Sequence, residues 1–328
     1  MTKLEKSLLE VEGKIIVCCP GSAVTGGPEL LHQLVHELRK LNHDAYILYY
    51  QFDKKHECPI PYRKYNAPQT DYVDTSKDIV FIPENATKLM KYFKKARLAI
   101  WWLSIDNYFG IRRESKIKDF IKKYKRIYRK RLPLWSLKGY LHFTQSEYAR
   151  IFLKNYGIES IMLTDYLSSE HLTEKSVNKS RKDIIVYNPS KGAKTTKKLI
   201  ERNKDMVFVP LVGMSHNEVK TLLESAKIYI DFGHHPGKDR IPREAAMAGC
   251  CVITGLKGSA KNNCDLPIPK KYKLDESSSK FQELFRQIAT SVFIEYENHL
   301  VEFDKYREKI RGEPETFRTQ VINIFGTK

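Results

Sequence analysis

A short segment of this 328-residue chain concentrates side chains that could bind a phosphorylated ligand. Gly233 and Gly237 would let the backbone come close to such a ligand. Three cationic residues follow, and each can donate hydrogen bonds to phosphate; they are Lys238, Arg240 and Arg243. Glu244 could accept hydrogen bonds from a ribose diol. The segment is therefore a candidate nucleotide site. The alternative is that the glycines only form turns and the charges are the solvated start of a helix.

The elements around this segment would place it at the ligand-binding edge of a parallel sheet. Residues 227–232 and 250–254 are runs of apolar and β-branched residues, which predict two short buried strands. Between them, Pro242 fits the first turn of a helix and Gly249 its C-terminal cap. Because open α/β sheets bind ligands at the carboxyl ends of their strands, the Gly-rich loop is expected at a binding edge.

Residues 243–255, which read REAAMAGCCVITG, resemble the C-terminal domain of GT-B glycosyltransferases. In that family a Glu opens the helix of an E-A-x-x-x-G-x-x-V-I segment and holds the nucleotide ribose, a role that falls on Glu244. The retaining branch has a second Glu eight residues upstream, where this chain has Pro236. The resemblance implies an α/β protein of the GT-B class, in which two Rossmann-like domains with parallel sheets face each other across a cleft.

Two further segments resemble donor-binding loops of the same family. Residues 188–192 read NPSKG, and the resemblance gives Lys191 the role of a diphosphate-binding lysine, while Asn188 lies near the position of the usual arginine. The turn at Gly213 and Met214 corresponds to one that packs on the nucleoside base. The resemblance therefore implies a diphosphate site made of Lys191, Lys238, Arg240, Arg243 and Gly237, and a ribose and base site made of Glu244, Gly213 and Met214.

Two histidines precede the cations of the central loop, His234 and His235. One of them could donate a hydrogen bond to a donor phosphate, as histidines at such loops do in several GT-B families. Alternatively, at least one imidazole only packs or caps. His235 is counted among the catalytic candidates.

The N-terminal half begins with a predicted strand, loop, helix and strand, but its glycines lack the G-x-G-x-x-G spacing of dinucleotide sites. It resembles the glycosyltransferase form, in which a Gly-Gly turn, here Gly26 and Gly27, lets the first helix approach the interdomain cleft. A plain tight turn is the alternative. Glu29 shares a helix face with His32 and is a candidate on the acceptor side.

Two carboxylates follow predicted buried strands in this half of the chain. Asp106 follows the strand at 96–104, and the end of a central strand is where a general base would be placed. Asp106 would deprotonate the acceptor hydroxyl if the reaction inverts; capping a helix is its rival role. Glu84, after the strand at 78–83, is the second candidate on the acceptor side.

The chain is strongly basic, with 57 Lys and Arg against 39 Asp and Glu and a net charge of +18. This charge indicates an anionic partner. The cations concentrate in residues 112–131, where apolar residues recur at helical spacing. A basic amphipathic helix suits an anionic membrane surface and a lipid-linked acceptor, although its apolar stripe could instead pack on the N-terminal domain. Nucleic acid is the less favoured partner, because no RNA- or DNA-binding motif accompanies the charge.

The length of the chain predicts two domains. The N-terminal Rossmann-like domain is expected over residues 1–168, a polar linker over 169–182, and the C-terminal Rossmann-like donor domain over 183–300. Residues 301–328 are predicted to be helical and to cross back to the first domain, as is typical of GT-B proteins.

The sequence predicts neither a metal nor a cofactor, since no Asp-x-Asp occurs in the loops expected to line the cleft. The six cysteines fit neither a zinc site nor a disulfide framework and are expected to be reduced core residues. No signal peptide and no long apolar run are visible. These features predict a cytoplasmic protein, or one peripheral to the inner face of a membrane.

Taken together, the residues and the resemblance predict a glycosyltransferase. It would move a sugar from a nucleotide-sugar donor to a glycan or lipid-linked acceptor in bacterial-type surface polysaccharide assembly. The loop cations and helix amides would stabilise the charge on the leaving diphosphate. Two alternatives stay open: another GT-B enzyme, such as a nucleotide-sugar epimerase or a phosphorylase, and a non-catalytic protein that binds anions or nucleic acid.

Overall fold

The computed structural model of the protein describes residues 9–21, 23–109, 131–172 and 181–328. The chain forms two compact units: unit 1 contains Met1–Tyr166 and Pro314–Lys328, and unit 2 contains Leu167–Glu313. The return to unit 1 therefore comes at Pro314, after the expected start of the crossing segment at residue 301. The reason is apolar packing, because Phe303, Tyr306 and Ile310 belong to the core of unit 2.

Unit 1 is built on a six-stranded parallel sheet with the order β2-β1-β3-β4-β5-β6. Its strands are β1 (Ile15–Pro20), β2 (Ala45–Tyr50), β3 (Ile79–Pro83), β4 (Arg97–Trp102), β5 (Leu141–Thr144) and β6 (Ile161–Met162). Its helices are α1 (Gly26–Lys40), α2 (Ile105–Phe109) and α3 (Glu147–Asn155), with short 3₁₀ helices at Ile60–Tyr65, Glu84–Tyr92 and Leu134–Leu137.

The sheet of unit 1 is covered on both faces, as buried parallel sheets are. Along β1, the side chains of Ile15, Val17 and Cys19 join one core, and those of Ile16 and Cys18 join a second core on the opposite face. This alternation follows from the two-residue period of a strand. The first strand therefore needs apolar residues at nearly every position, which is why it is recognisable in the sequence.

Unit 2 is built on a four-stranded parallel sheet with the order β10-β9-β7-β8. Its strands are β7 (Lys182–Tyr187), β8 (Val207–Pro210), β9 (Ala226–Asp231) and β10 (Cys251–Thr254). Its helices are α4 (Ala193–Arg202), α5 (His216–Ser225), α6 (Arg240–Met247), α7 (Phe281–Ile294), α8 (Tyr296–Val301) and α9 (Asp304–Arg311). Helix α10 (Glu313–Phe325) starts on the last residue of unit 2 and continues into unit 1.

One local expectation is confirmed and another needs correction. Helix α6 begins at Arg240, so Pro242 lies in its first turn, as predicted. The 3₁₀ helix Glu84–Tyr92 is interrupted by non-helical backbone at Ala86. All six cysteines are free, but Cys264 is exposed and is not a core residue.

The basic segment predicted over 112–131 lies outside the described residues, apart from Arg131, and so does most of the predicted linker, at 173–180. In the part of the chain that the structure describes, no helix is both long enough and apolar enough to cross a bilayer.

Candidate functional site

Three loops of unit 2 come together at the carboxyl edge of its sheet. They follow β7, β9 and β10, and their backbones touch. A Cβ atom on Gly192 would lie 2.6 Å from the carbonyl carbon of Phe232, and one on Gly258 would lie 2.1 Å from the carbonyl oxygen of His235. Ser259 N–H also donates to that oxygen at 2.9 Å. Glycine is therefore required at both positions for the loops to meet.

Four charged side chains form a cluster inside these loops, which we call the loop cluster: Lys191, Asp231, His235 and Asp239. The Lys191 ammonium contacts the Asp239 carboxylate and lies 4.0 Å from Asp231 Oδ2. The His235 ring lies between the two carboxylates, with Nδ1 3.2 Å from Asp239 Oδ2 and Nε2 3.4 Å from Asp231 Oδ1. Nε2 is close enough for ion pairing but is not aligned for a hydrogen bond. Two carboxylates thus face two basic groups.

The loop cluster shifts the pKa of its members in the direction expected for ion pairs. Burial opposes charging of His235, but the Asp231 and Asp239 carboxylates outweigh burial and raise its pKa. Burial also opposes charging of Asp231, yet His235, Lys191 and the Gly233 N–H lower its pKa to about 2. Burial is likewise outweighed at Lys191, where the two carboxylates raise the pKa. Protonated His235 therefore makes the cluster electrically neutral.

Three residues of the loop cluster are also close enough together, within the described chain, to be considered as ligands of a metal ion. One ligand atom from each of Asp231, His235 and Asp239 lies within 4.8 Å of the others. However, the ammonium of Lys191 already contacts Asp239. The two carboxylates also already face the two nitrogens of the same imidazole. The cluster suits its own cations better than a divalent metal.

We expect His235 to make the stability of unit 2 depend on pH. A raised folded-state pKa means that the protonated imidazole stabilises the fold fully below its unfolded pKa of about 6.5, and that this contribution is lost as pH rises through the folded pKa. A tenfold difference in proton affinity between the folded and unfolded states corresponds to about 1.4 kcal/mol. Between about pH 6 and pH 9, the Tm of the wild type should therefore fall more steeply with rising pH than the Tm of His235→Asn, which cannot titrate at this position. Parallel pH curves would contradict this role.

Two of the predicted diphosphate cations are held by a carboxylate that the sequence did not indicate. Lys238 Nζ lies 2.8 Å from Glu313 Oε1, and Arg243 Nη1 donates to Glu313 Oε2 at 2.7 Å. Arg243 also donates to the backbone oxygens of Asp239, at 3.2 Å, and Lys238, at 3.3 Å. Arg243 is fully buried. It therefore fixes the path of the loop from inside the protein.

Glu244 lies beside two basic side chains. Arg240 Nη2 lies 3.1 Å from Glu244 Oε1, and His171 Nε2 lies 3.8 Å from the same oxygen. His171 belongs to the segment that the sequence indicated as a polar linker. The structure thus pairs Glu244 with Arg240 and adds His171, for which no local pattern gave a signal.

The two predicted base contacts lie at the end of the neighbouring strand β8. Gly213 has a φ of +67°, and no atom of the described chain lies within 4 Å of the position of a Cβ there. Met214 is exposed. The turn therefore has open space beside it, at the same carboxyl edge as the other loops.

The glycine and glutamate candidates at the start of α1 have different surroundings. Gly26 is the first residue of the helix. A Cβ on Gly27 would meet only Leu103 Cδ1, at 3.8 Å, so there is room for an added group. Glu29 is buried, accepts a hydrogen bond from Tyr65 Oη at 2.6 Å and lies 3.5 Å from Lys64 Nζ. These contacts give Glu29 a structural role in holding the 3₁₀ helix.

The two candidate bases of unit 1 are both buried. Asp106, in α2, accepts a hydrogen bond from Tyr148 Oη at 3.2 Å. Glu84, directly after β3, accepts one from Leu103 N–H at 3.0 Å. Burial raises the pKa of Glu84 to about 7, against the opposing effect of that N–H. A carboxyl group that titrates near neutral pH can exchange a proton there, so Glu84 is as strong a candidate for proton transfer as Asp106.

Comparisons with solved structures identify the fold. The chain is similar to WaaG, a glycosyltransferase involved in lipopolysaccharide biosynthesis, with a TM-score of 0.60 and 11% identity over 94% of this chain and 99% of that chain. It is similar to a trehalose-6-phosphate protein from E. coli bound with UDP-2-fluoro glucose, with a TM-score of 0.55 and 9% identity over 94% and 99% of the two chains.

A third similar structure is a point mutant of S. aureus TarM, in complex with fondaparinux, alpha-GlcNAc-glycerol and UDP. Its TM-score is 0.52 at 11% identity, and the match covers 76% of this chain but only 55% of that chain. No family model and no curated protein sequence matches this chain. The matches show a GT-B glycosyltransferase fold, and they confirm the predicted α/β class with parallel sheets.

Proposed function

We propose that this protein is a glycosyltransferase whose strand-end loops in unit 2 bind a nucleotide-sugar donor. The observation that carries the proposal is the convergence of three such loops in a chain that has the GT-B fold. Lys191 lies on the first of these loops, and Arg240 and Glu244 lie on helix α6, which follows the second. Proteins of similar structure contain UDP or UDP-2-fluoro glucose. The proposed acceptor is a glycan or a lipid-linked molecule. The proposed process is assembly of a surface polysaccharide, because the similar protein WaaG is involved in lipopolysaccharide biosynthesis.

Exposure divides the four predicted diphosphate cations into two pairs. The side chains of Lys191 and Arg240 are 27% and 22% exposed, and those of Lys238 and Arg243 are 7% and 1% exposed. We assign contact with the donor diphosphate to the first pair. The second pair positions the loop through Glu313. With this division, the leaving diphosphate is stabilised by the two cations that are exposed enough to contact it.

The start of α6 adds a second source of positive potential. Asp239 occupies the N-cap position, but its side chain does not cap the helix and faces Lys191 and His235 instead. First-turn amides without a side-chain cap favour an anion, and the helix dipole has its positive end there. A donor phosphate at this point would meet these amides, whereas the side chain of His235 is 3% exposed and lies between Asp231 and Asp239. The proposed enzyme stabilises the leaving diphosphate without a metal ion, so EDTA should leave sugar transfer unchanged.

The acceptor hydroxyl must lose its proton during transfer. In an inverting reaction a carboxylate of unit 1 takes this proton, and we assign the step to Asp106 or Glu84. Substitution of each by its amide distinguishes them, because only the base that accepts the proton should set the acid limb of the pH–rate profile.

We propose that the protein works at the inner face of an anionic membrane. The sequence of residues 112–131 supports this, and so does the side chain of Trp135, which follows that segment and is 76% exposed. Exposed Trp together with cations suits a lipid interface. Sedimentation with anionic vesicles, but not with zwitterionic vesicles, would support the placement. Equal binding of wild type and Trp135→Ala to anionic vesicles would exclude a role for Trp135.

A thermal-shift screen with UDP, GDP, dTDP, CMP and ADP tests the donor site. A nucleotide at about one hundred times its Kd should stabilise the fold by about 2.7 kcal/mol, which is a rise in Tm of about 5 °C. The rise should disappear in Glu244→Ala, which removes the ribose contact, and should persist in Glu297→Ala, which removes an exposed carboxylate on α8. If no nucleotide raises the Tm, the protein is not a nucleotide-sugar enzyme and the anion-binding alternative is favoured.

A further inference from the structure

Unit 2 contains a polar cavity of about 840 Å³ that is separate from the loop cluster. It lies between helix α4 and the residues that lead into helix α7. Its volume is in the range of small-molecule sites. Its lining combines residues of α4 with two later segments, and these are Lys194, Thr195, Lys198, Glu201, Arg202, Leu256, Lys257, 275–279, Phe281 and Gln282.

One wall of this cavity carries a row of cations. Lys194, Lys198 and Arg202 follow each other at intervals of four residues on α4, so they lie on one face of the helix. All three line the cavity and are exposed. Neighbours at this spacing are about 6 Å apart, which gives the row a length of about 12 Å. Within the described residues, none of the three has an ion-pair or hydrogen-bond partner.

The carboxylates that line the cavity have partners, but these partners do not belong to the row of cations on α4. Glu276 Oε2 accepts hydrogen bonds from Lys257 Nζ and Thr195 Oγ1, each at 2.8 Å. Asp275 Oδ1 accepts from the N–H of Ser277 at 2.9 Å and from its hydroxyl at 2.6 Å. The third carboxylate, Glu201, lies 3.9 Å from Lys197 Nζ. None of these three carboxylates therefore pairs with the row of cations on α4.

Other donors on the opposite wall suit the same kind of ligand. Ser278 and Ser279 line the cavity just before α7, and no side chain caps the start of that helix. A helix of 14 residues has its positive dipole end at this point. Serine hydroxyls, an uncapped helix start and an Arg guanidinium are all groups that bind phosphate.

We infer that this cavity binds a ligand carrying at least two phosphate groups, spaced to match cations about 6 Å apart on one helix face. The row on α4 binds the phosphates, and the serines at the start of α7 close the opposite side. The site is distinct from the proposed donor site, since Lys191, Arg240 and Glu244 are not among the described residues that line it. The phosphates could belong to a phosphorylated glycan or to a lipid headgroup, which share this chemistry.

Calorimetric titration of the full chain with inorganic tripolyphosphate at low salt tests the site. The triple variant Lys194→Ala, Lys198→Ala, Arg202→Ala should bind about tenfold or more weakly than the wild type, because it loses three charged contacts at exposed positions. The control is Lys197→Ala, Lys204→Ala, Lys305→Ala, which removes the same charge from exposed residues outside the cavity. It should change the affinity by less than about twofold.

Each outcome decides the inference. Absence of tripolyphosphate binding to the wild type, or an equal loss of affinity in both triple variants, would overturn it, because the second result would mean that only net charge matters. The nucleotide-induced rise in Tm should persist in the cavity variant, so failure of this site and failure of the donor site are distinguishable. Displacement of bound tripolyphosphate by a phosphorylated mannan points to a glycan, and displacement by phosphatidylglycerol vesicles points to a lipid.

Discussion

Replacing Glu313 by Ala should lower the free energy of unfolding by about 3–5 kcal/mol, the largest effect that we expect from a single substitution. Glu313 is buried and its two carboxylate oxygens bind different cations, Lys238 at 2.8 Å and Arg243 at 2.7 Å. Removing the carboxylate leaves two cations in a site with little access to water. A buried charge without its partner costs far more than a surface pair contributes.

Denaturant unfolding of the full chain, followed by circular dichroism, measures this effect. The matched control is Glu315→Ala, two residues later on the same helix and exposed. The free energy of unfolding of this control should lie within about 0.5 kcal/mol of the wild-type value. Glu313→Gln keeps hydrogen-bonding capacity but loses the charge, and we expect it to fall between the two. Similar stability of Glu313→Ala and Glu315→Ala would show that the ion pairs do not hold the loop.

Replacing Lys191 by Ala should lower the turnover number for sugar transfer by about 10²–10³, the effect of removing one preorganised group from a developing negative charge. Lys191 combines the properties that this role needs. Its pKa is raised by the Asp239 and Asp231 carboxylates, so it stays protonated, and its side chain is the most exposed of the four predicted diphosphate cations. Lys191→Arg keeps the charge and should recover part of the rate.

This prediction needs an assay with the nucleotide that the thermal-shift screen identifies. The Tm of each variant is measured beside turnover, because Lys191 also balances the charge of Asp231 and Asp239. Lys204→Ala, an exposed lysine beyond the end of α4, is the control and should keep full activity. If turnover in Lys191→Ala falls only as far as the folded fraction does, Lys191 is a structural member of the loop cluster and not a contact of the diphosphate.

The ion pairs of Lys191 and Arg240 affect the way in which a donor would bind at the proposed site. Lys191 can reach a phosphate only by loosening its contact with Asp239, and Arg240 only by loosening its contact with Glu244. Each carboxylate then loses its cation as the ligand gains one. In the proposed site, a donor with a ribose diol would satisfy Glu244 at the same time as its diphosphate engages Arg240. A diphosphate without the ribose lacks this compensation, so the proposed site should favour whole nucleotides over pyrophosphate.

The sequence by itself determined the local elements of the binding edge. Strands predicted at 227–232 and 250–254 are observed as Ala226–Asp231 and Cys251–Thr254. The helix between them starts at Arg240 and has Pro242 in its first turn, as expected. These predictions succeeded because strands and helices follow from the period of apolar residues and from Gly and Pro, which act on neighbours in the chain. The same local pattern carried the resemblance to the GT-B fold.

Only the tertiary structure decided which charges meet. Glu313 lies 70 residues beyond Arg243, and no periodic pattern connects them. Asp231 could have been noticed at the end of its strand, where site carboxylates are common, but its pairing with His235 depends on the fold of the loop. The sequence indicated four equivalent cations, whereas the structure separates two half-buried ones from two with buried side chains. Burial and ion pairing are set by residues distant in the chain, and they determine which charged side chain can reach a ligand.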